Sequence, residues 1–160
     1  ALRQSLAEMT EADFDRTIAV NLKSAFLCTQ AVWPGMRARG WGRIVNISSS
    51  SAQTGSINMV TYSSSKGAVV TMTRSMAQEF GPHGITVNCV APALIDTSHR
   101  QGKSAYTAEQ AEHRKSLTPM GRMGTQEELC GVITFLTSRQ AGFVTGSTIA
   151  VEGGMISSLF

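Results

Sequence analysis

The sequence lacks any apolar run approaching the ~18 residues that a membrane-spanning helix needs. Its first residues, Ala1-Leu2-Arg3-Gln4-Ser5, hold no apolar signal-peptide core. Both absences point to a cytoplasmic protein with no membrane partner. Cysteine is scarce: Cys28, Cys89 and Cys130 are far apart and odd in number. They read as reduced packing residues and not as a disulfide framework. Aromatics make up 6% of the chain, too few to interleave with cations and stack bases. Arg37, Arg39 and Arg43 are the nearest approach to a basic cluster. They flank a predicted helix-to-strand turn, where cations favour a helix C-terminus, so no nucleic-acid partner is expected. His83, His99 and His113 lack the i, i+4 spacing of a helical zinc site and have no cysteine pairs beside them. No metal is expected. No G-x-S-x-G elbow occurs, so a serine-hydrolase triad has no support.

What is present suits one globular domain spanning residues 1–160, with 42% hydrophobic and 16% charged residues. Thr10-Glu11-Ala12-Asp13 resembles a capping box and opens a helix. Phe14, Ile18, Leu22, Phe26, Trp33 and Met36 then recur at helical spacing, with Ala25 and Thr29 in the same stripe. One long helix over Glu11–Arg39 follows, with a kink or tightening at Pro34. Arg43 to Ser48 is a short β-branched run and predicts a strand. Ser49 to Thr61, rich in Ser, Gly and Asn, reads as a loop. A second long helix runs from about Tyr62 to Phe80, with Val69, Met72, Met76 and Phe80 as its apolar face, and Gly81-Pro82-His83-Gly84 stops it. Ile85 to Ala91 predicts a buried strand ended by Pro92. Capping boxes at Thr107 and Thr125 open two further helices, and Ser147 to Val151 predicts a last strand. Helices long enough for crossovers separate the strands, so the fold class is α/β with a parallel sheet. Three strands make a narrow sheet with a long unpaired edge, a liability that argues for further covering chain.

Chemistry concentrates in one stretch. Tyr62 and Lys66 are four apart, so on a helix they lie on one face with Cβ atoms about 5–6 Å apart. An ammonium that close favours the phenolate, which suits a group that gives or takes a proton at an alcohol or carbonyl oxygen. Ser49 lies thirteen residues before Tyr62, at the end of a predicted strand. Ligands of open parallel sheets sit beyond the carboxyl ends of the strands. The sequence places Ser49, Pro92 to Thr97, Tyr62 and Lys66 at that edge.

The combination is more specific than any member. Val20-Asn21-Leu22, Gly42 to Ser49, Tyr62-Ser63-Ser64-Ser65-Lys66-Gly67-Ala68 and Gly84 to Pro92 occur in order, followed by Gly121-Arg122-Met123-Gly124 with Glu127-Glu128, and by Val144-Thr145-Gly146 before Val151 to Gly154. In order and spacing this resembles the short-chain dehydrogenase/reductase family from its fourth helix to its C-terminus, with 3-oxoacyl thioester reductases among the similar members. The resemblance covers essentially the whole chain. It implies part of a doubly wound, Rossmann-type sheet, about three strands with flanking helices. It implies NAD or NADP as cofactor and a small carbonyl or alcohol substrate. Tyr62 would be the general acid/base, and Ser49 the donor that orients the reacting oxygen, with Ser48 as the fallback. Lys66 would assist Tyr62 and hold the nicotinamide ribose. Asn21 would support a proton relay. Pro92, Ala93, Ile95 and Thr97, with Tyr62 and Lys66, would contact the cofactor. Ala93 stands where the family has glycine, which matters only if the backbone there needs a glycine conformation. Ser98 to Leu117 takes the place of the substrate lid.

The family's opening strand, its Gly-rich phosphate turn and its later Asn-Asn-Ala-Gly segment have no counterpart here. The resemblance therefore implies the back half of a reductase without its nucleotide-binding βαβ units. Two functions stand open: an NAD(P)-dependent oxidoreductase, or a truncated, non-catalytic module that associates as a homo-oligomer, dimer or tetramer, through helices 11–39 and 62–80.

Overall fold

A computed structural model describes residues 3–96 and 107–156. Its sheet has three strands: β1 (Gly42–Ile47), β2 (Ile85–Pro92) and β3 (Thr148–Val151), in the order β1-β2-β3 and all parallel. The register runs from Gly42 opposite Ile85 to Ile47 opposite Val90, then from Cys89 opposite Thr148 to Pro92 opposite Val151. The α/β class and the parallel sheet are as the sequence predicts. β2 lies between two neighbours, and every residue from Ile85 to Ala91 is buried. That explains its nearly continuous apolar run. Its buried Asn88 is satisfied on both ends: Nδ2 donates to the Val144 carbonyl at 2.7 Å and Oδ1 accepts from the Ser147 amide at 3.2 Å. The side chain thereby holds the turn that feeds β3. The outer edge of β1 has no strand partner among the described residues, and Ile47 there is 42% exposed.

The predicted helix over 11–39 is interrupted. α1 (Glu11–Ile18) starts at Thr10 with both halves of the capping box formed. A π-helical turn covers Ala19–Lys23, and α2 (Ser24–Ala38) continues through Pro34. The irregularity thus sits around Asn21. In the π turn the Ser24 amide reaches back five residues to the Ala19 carbonyl. Val20 loses its usual amide partner, and the Ser24 hydroxyl donates to its carbonyl instead. A polar residue one turn on repairs the ladder locally.

The predicted loop over 49–61 is shorter than expected. It contains a single helical turn, α3 (Ser51–Thr54), and α4 (Val60–Phe80) begins two residues before Tyr62. The buried stripe of α4 is Thr61, Ser65, Val69, Thr73, Ala77 and Phe80. Met72 and Met76 are only half-buried. Ala77 and Phe80 form the core with Ile85 and Val87, and Trp33, Met36, Ile44 and Met76 pack against it. The Trp33 and Phe80 rings stack with centroids 4.0 Å apart.

α5 (Ala108–Ser116) and α6 (Gln126–Thr137) start at their predicted threonine caps, and α6 packs on β1 and β2. Arg43 serves the end of α6 and not that of α2: its Nε donates to the Ser138 carbonyl at 3.1 Å, and its guanidinium lies 5.2 Å from the Trp41 ring centre. The cysteines are free, but only Cys89 is a packing residue; Cys28 and Cys130 are exposed. Among the described residues no helix is long and apolar enough to cross a membrane.

Candidate active site

Because all three strands point the same way, their carboxyl ends share one edge, and most of the predicted residues gather there. β1 ends at Ile47. Ser48 extends its ladder by one bond, its amide donating to the Val90 carbonyl at 2.8 Å. Its hydroxyl is buried and donates to the Lys66 carbonyl at 2.8 Å. Ser49 turns the other way and is half-buried. Its Oγ accepts from the Ser51 hydroxyl at 3.0 Å and the Ser51 amide at 3.3 Å. Ser48 is thus committed to joining β1 to α4, and Ser49 is the serine whose hydroxyl remains at the edge. The Ser50 amide donates to the Pro92 carbonyl at 3.0 Å and fastens the turn to the end of β2.

Tyr62 and Lys66 occupy successive turns near the start of α4, as their spacing requires. Both are half-buried. Lys66 Nζ lies 5.9 Å from the Tyr62 ring centre and donates to the Ile47 carbonyl at 2.8 Å. Burial holds the Lys66 ammonium below its usual pKa; the negative charge available at Cys89 opposes that shift. Cys89, on β2 beneath it, has its thiol pushed up by the same burial.

Asn21 is brought to this group from the far end of the sequence. From the π turn its Nδ2 donates to Ser65 Oγ at 3.0 Å, and Ser65 Oγ donates to the Tyr62 carbonyl at 2.7 Å. Ala93 donates its amide to the Val151 carbonyl at 3.1 Å. Ile95 forms a parallel bridge with Gly124, framed by the Asp96 amide on the Gly124 carbonyl at 2.8 Å and the Gly124 amide on the Leu94 carbonyl at 2.9 Å. Among the described residues only Asn58 has positive φ without being glycine. The backbone at Ala93 therefore lies where any L-residue sits, and alanine in place of glycine costs nothing there. Thr97 lies outside the described residues, as does the first part of the predicted lid, residues 98–106; α5 occupies most of the rest.

A family model described as enoyl-(acyl carrier protein) reductase matches residues 1–156. The chain belongs to the short-chain dehydrogenase/reductase family. Nodulation protein G of Azospirillum brasilense is 40% identical over 152 residues, which are 93% of this chain and 59% of that protein. Acetoacetyl-CoA reductase of Rhizobium meliloti (strain 1021) is 40% identical over 147 residues, 92% of this chain and 60% of that protein. The crystal structure of a gluconate 5-dehydrogenase from Burkholderia cenocepacia J2315, in complex with NADP and tartrate, superposes with a TM-score of 0.91 at 34% identity. It matches 98% of this chain and 61% of that one. The chain thus spans about three fifths of the length of the relatives it matches.

In this short-chain dehydrogenase/reductase the sequence reading missed Ser65. Its signal was available: Thr61, Ser65, Val69, Thr73 and Ala77 repeat every four residues and are all buried. The predicted apolar face named Val69, Met72, Met76 and Phe80 and left out the small polar residues that share the buried stripe.

Proposed function

We propose that this chain is the catalytic and substrate-binding part of an NAD(P)-dependent oxidoreductase acting on a ketone or secondary alcohol. The observation that carries this reading is the convergence of Tyr62, Lys66 and Ser49 at the carboxyl edge of the sheet, with Lys66 seated on the Ile47 carbonyl. The residues present fit the nicotinamide end of such a cofactor: a cation beside a phenol, at the sheet edge where the Pro92–Ile95 backbone leaves β2. Tyr62, Lys66, Pro92, Ala93, Ile95 and Thr97 would hold it. When bound, the cofactor supplies or accepts a hydride at the carbonyl carbon. In the reducing direction the Tyr62 hydroxyl gives its proton to the substrate oxygen, and in the oxidising direction it takes that proton back. The Ser49 hydroxyl donates a hydrogen bond to the same oxygen and orients it. The Lys66 ammonium favours the negative charge that grows on the Tyr62 oxygen, and Asn21 supports the far side of the relay. Either NAD or NADP suits this chain, because the adenosine-ribose selector is not among its motifs. The nucleotide-binding βαβ units belong, in this reading, to the whole protein, consistent with the 59% coverage of a relative and the bare edge of β1.

The test is Tyr62→Phe in the whole protein, assayed with acetoacetyl-CoA and either NADPH or NADH. Turnover should fall by about 10²–10⁴-fold with the fold intact. An unchanged rate would remove Tyr62 from the chemistry.

One observation favours a second role. An apolar groove of about 620 Å³ lies between α1–α2 and α4, lined by Ile18, Leu22, Phe26, Ala68 and Met72 among others. Phe26 in its lining and Phe14 on α1 are each 44% exposed although they belong to the predicted apolar stripe. Homo-oligomerisation through helices 11–39 and 62–80 would cover them. Phe26→Glu should then lower the sedimenting mass of the protein.

A further inference from the structure

Ser65 is fully buried, stands one residue from Lys66 and three from Tyr62, and makes two hydrogen bonds. A hydroxyl carries a single proton. The Tyr62 carbonyl, 2.7 Å away, has no proton to offer, so Ser65 must donate to it. The Ser65 oxygen is then left only as an acceptor. Toward Asn21, at 3.0 Å, it fits the amide NH2 and repels the amide oxygen. The direction of one proton on α4 therefore decides which end of the Asn21 amide faces the site. An asparagine amide has nearly equal shape in its two orientations, so packing alone selects poorly between them. Asn21 also sits inside the π turn at Ala19–Lys23, where the backbone departs from the regular helix on both sides. Turns of this kind are concentrated at functional sites.

We propose that Ser65 is a positioning residue: its hydroxyl orients the Asn21 amide, ties the π turn to the first turns of α4, and so aligns Asn21 with the Tyr62–Lys66 pair. This rests on the reading of Tyr62 as the acid/base, and it deepens that reading. Ser65 touches neither reacting atom. It acts through Asn21 and through the Tyr62 backbone. Misalignment in a proton-handling group lowers the rate of chemistry and leaves substrate binding largely alone. The predicted signature is a change in kcat with little change in KM.

The experiment uses the whole protein with Ser65→Ala, Asn21→Asp, the double variant and Tyr62→Phe. Ala in place of Ser65 removes the hydroxyl with little change of volume, in a helix that alanine favours. Asn21→Asp keeps the shape and replaces the donor by an acceptor. With acetoacetyl-CoA and NADPH, each single variant should lose about 10–100-fold in kcat with KM within about twofold. The double variant should be no worse than the poorer single one. Nitrogen-15 labelling of asparagine gives a readout independent of turnover. The Asn21 side-chain NH2 signals should exchange slowly with solvent in the parent and at least tenfold faster in Ser65→Ala. Multiplying losses in the double variant, or unchanged exchange together with parental kcat in Ser65→Ala, would overturn the proposal. Where the probe is not turned over at all, the amide exchange alone decides. A Tyr62→Phe variant with full activity would instead overturn the acid/base reading, and the two failures remain distinct.

Discussion

The Lys66 ammonium donates to the backbone carbonyl of Ile47 at 2.8 Å, so a cation from the start of α4 is seated on the last residue of the edge strand β1. Burial holds this ammonium below its ordinary pKa of 10.5, opposed by the charge available at Cys89. The unfolded chain keeps the Lys66 proton to higher pH than the folded chain does. Between the two values the unfolded state binds more protons, and stability rises with pH across that window. Denaturation curves for the parent and Lys66→Met, taken at rising pH toward 10.5, should show the parent gaining on the variant. A difference that stays flat would mean that Lys66 is not desolvated as the structure shows.

Glu128 gives the same slope for the opposite reason: its charged form is favoured by partners, where that of Lys66 is disfavoured by burial. Its carboxylate takes hydrogen bonds from Arg122, at 2.6 and 2.9 Å, and from the Thr125 amide at 2.8 Å. With the Arg122 bonds first and the Thr125 bond second, these hold its pKa down to about 2 from 4.5. The stabilisation is present above 4.5 and is lost as pH falls toward 2. Glu128→Gln should lower the melting temperature at neutral pH, and the gap from the parent should close on acidification over that range. A gap that widens in acid would contradict the ion pair.

Gly84 precedes β2 with φ of +73°. A side chain there would bring Cβ into overlap with the Gly40 carbonyl oxygen. Backbone oxygen cannot yield as a flexible side chain would. Gly84→Ala should therefore cost at least about 1–2 kcal/mol from the left-handed conformation alone, with the overlap added. Equilibrium unfolding in urea measures it, and a neutral result would show that the two turns separate freely.

Phe80 is 6% exposed and stacks on Trp33. Phe80→Ala should cost about 3–5 kcal/mol, the usual range for emptying an aromatic site in a core. It should also change the emission of Trp33 while leaving that of Trp41, the other tryptophan. A loss below about 1 kcal/mol would place Phe80 outside the core.

Much of this was legible along the chain. Thr10, Thr107 and Thr125 announced three helix starts because a capping box is a contact between residues three apart. The central strand was legible because β2 is buried from Ile85 to Ala91 and so reads as a nearly continuous apolar run. The π turn at Ala19–Lys23 was not, since a mid-helix Asn21 is only mildly unfavourable and does not by itself signal a π turn. Its form goes with a partner more than forty residues away, Ser65. The buried face of α4 was misread at Met72, which lines the outer groove, and at the small residues that fill the stripe, for a related reason. Close packing there selected small side chains over large apolar ones.

The sequence by itself determined which residues could do proton chemistry and that Tyr62 and Lys66 would share a helix face, because four-residue spacing is a local property of the helix. It also determined the alternation of helix and strand that makes a parallel sheet the natural packing. Only the tertiary structure decided the task of each serine. Ser48 is turned inward to the Lys66 carbonyl, Ser49 stays at the edge, and Ser65 joins Asn21 to Tyr62. A hydroxyl is a donor and an acceptor at once. Its role is set by which groups the folded chain brings within 3 Å of it, and no run of serines in a sequence carries that information.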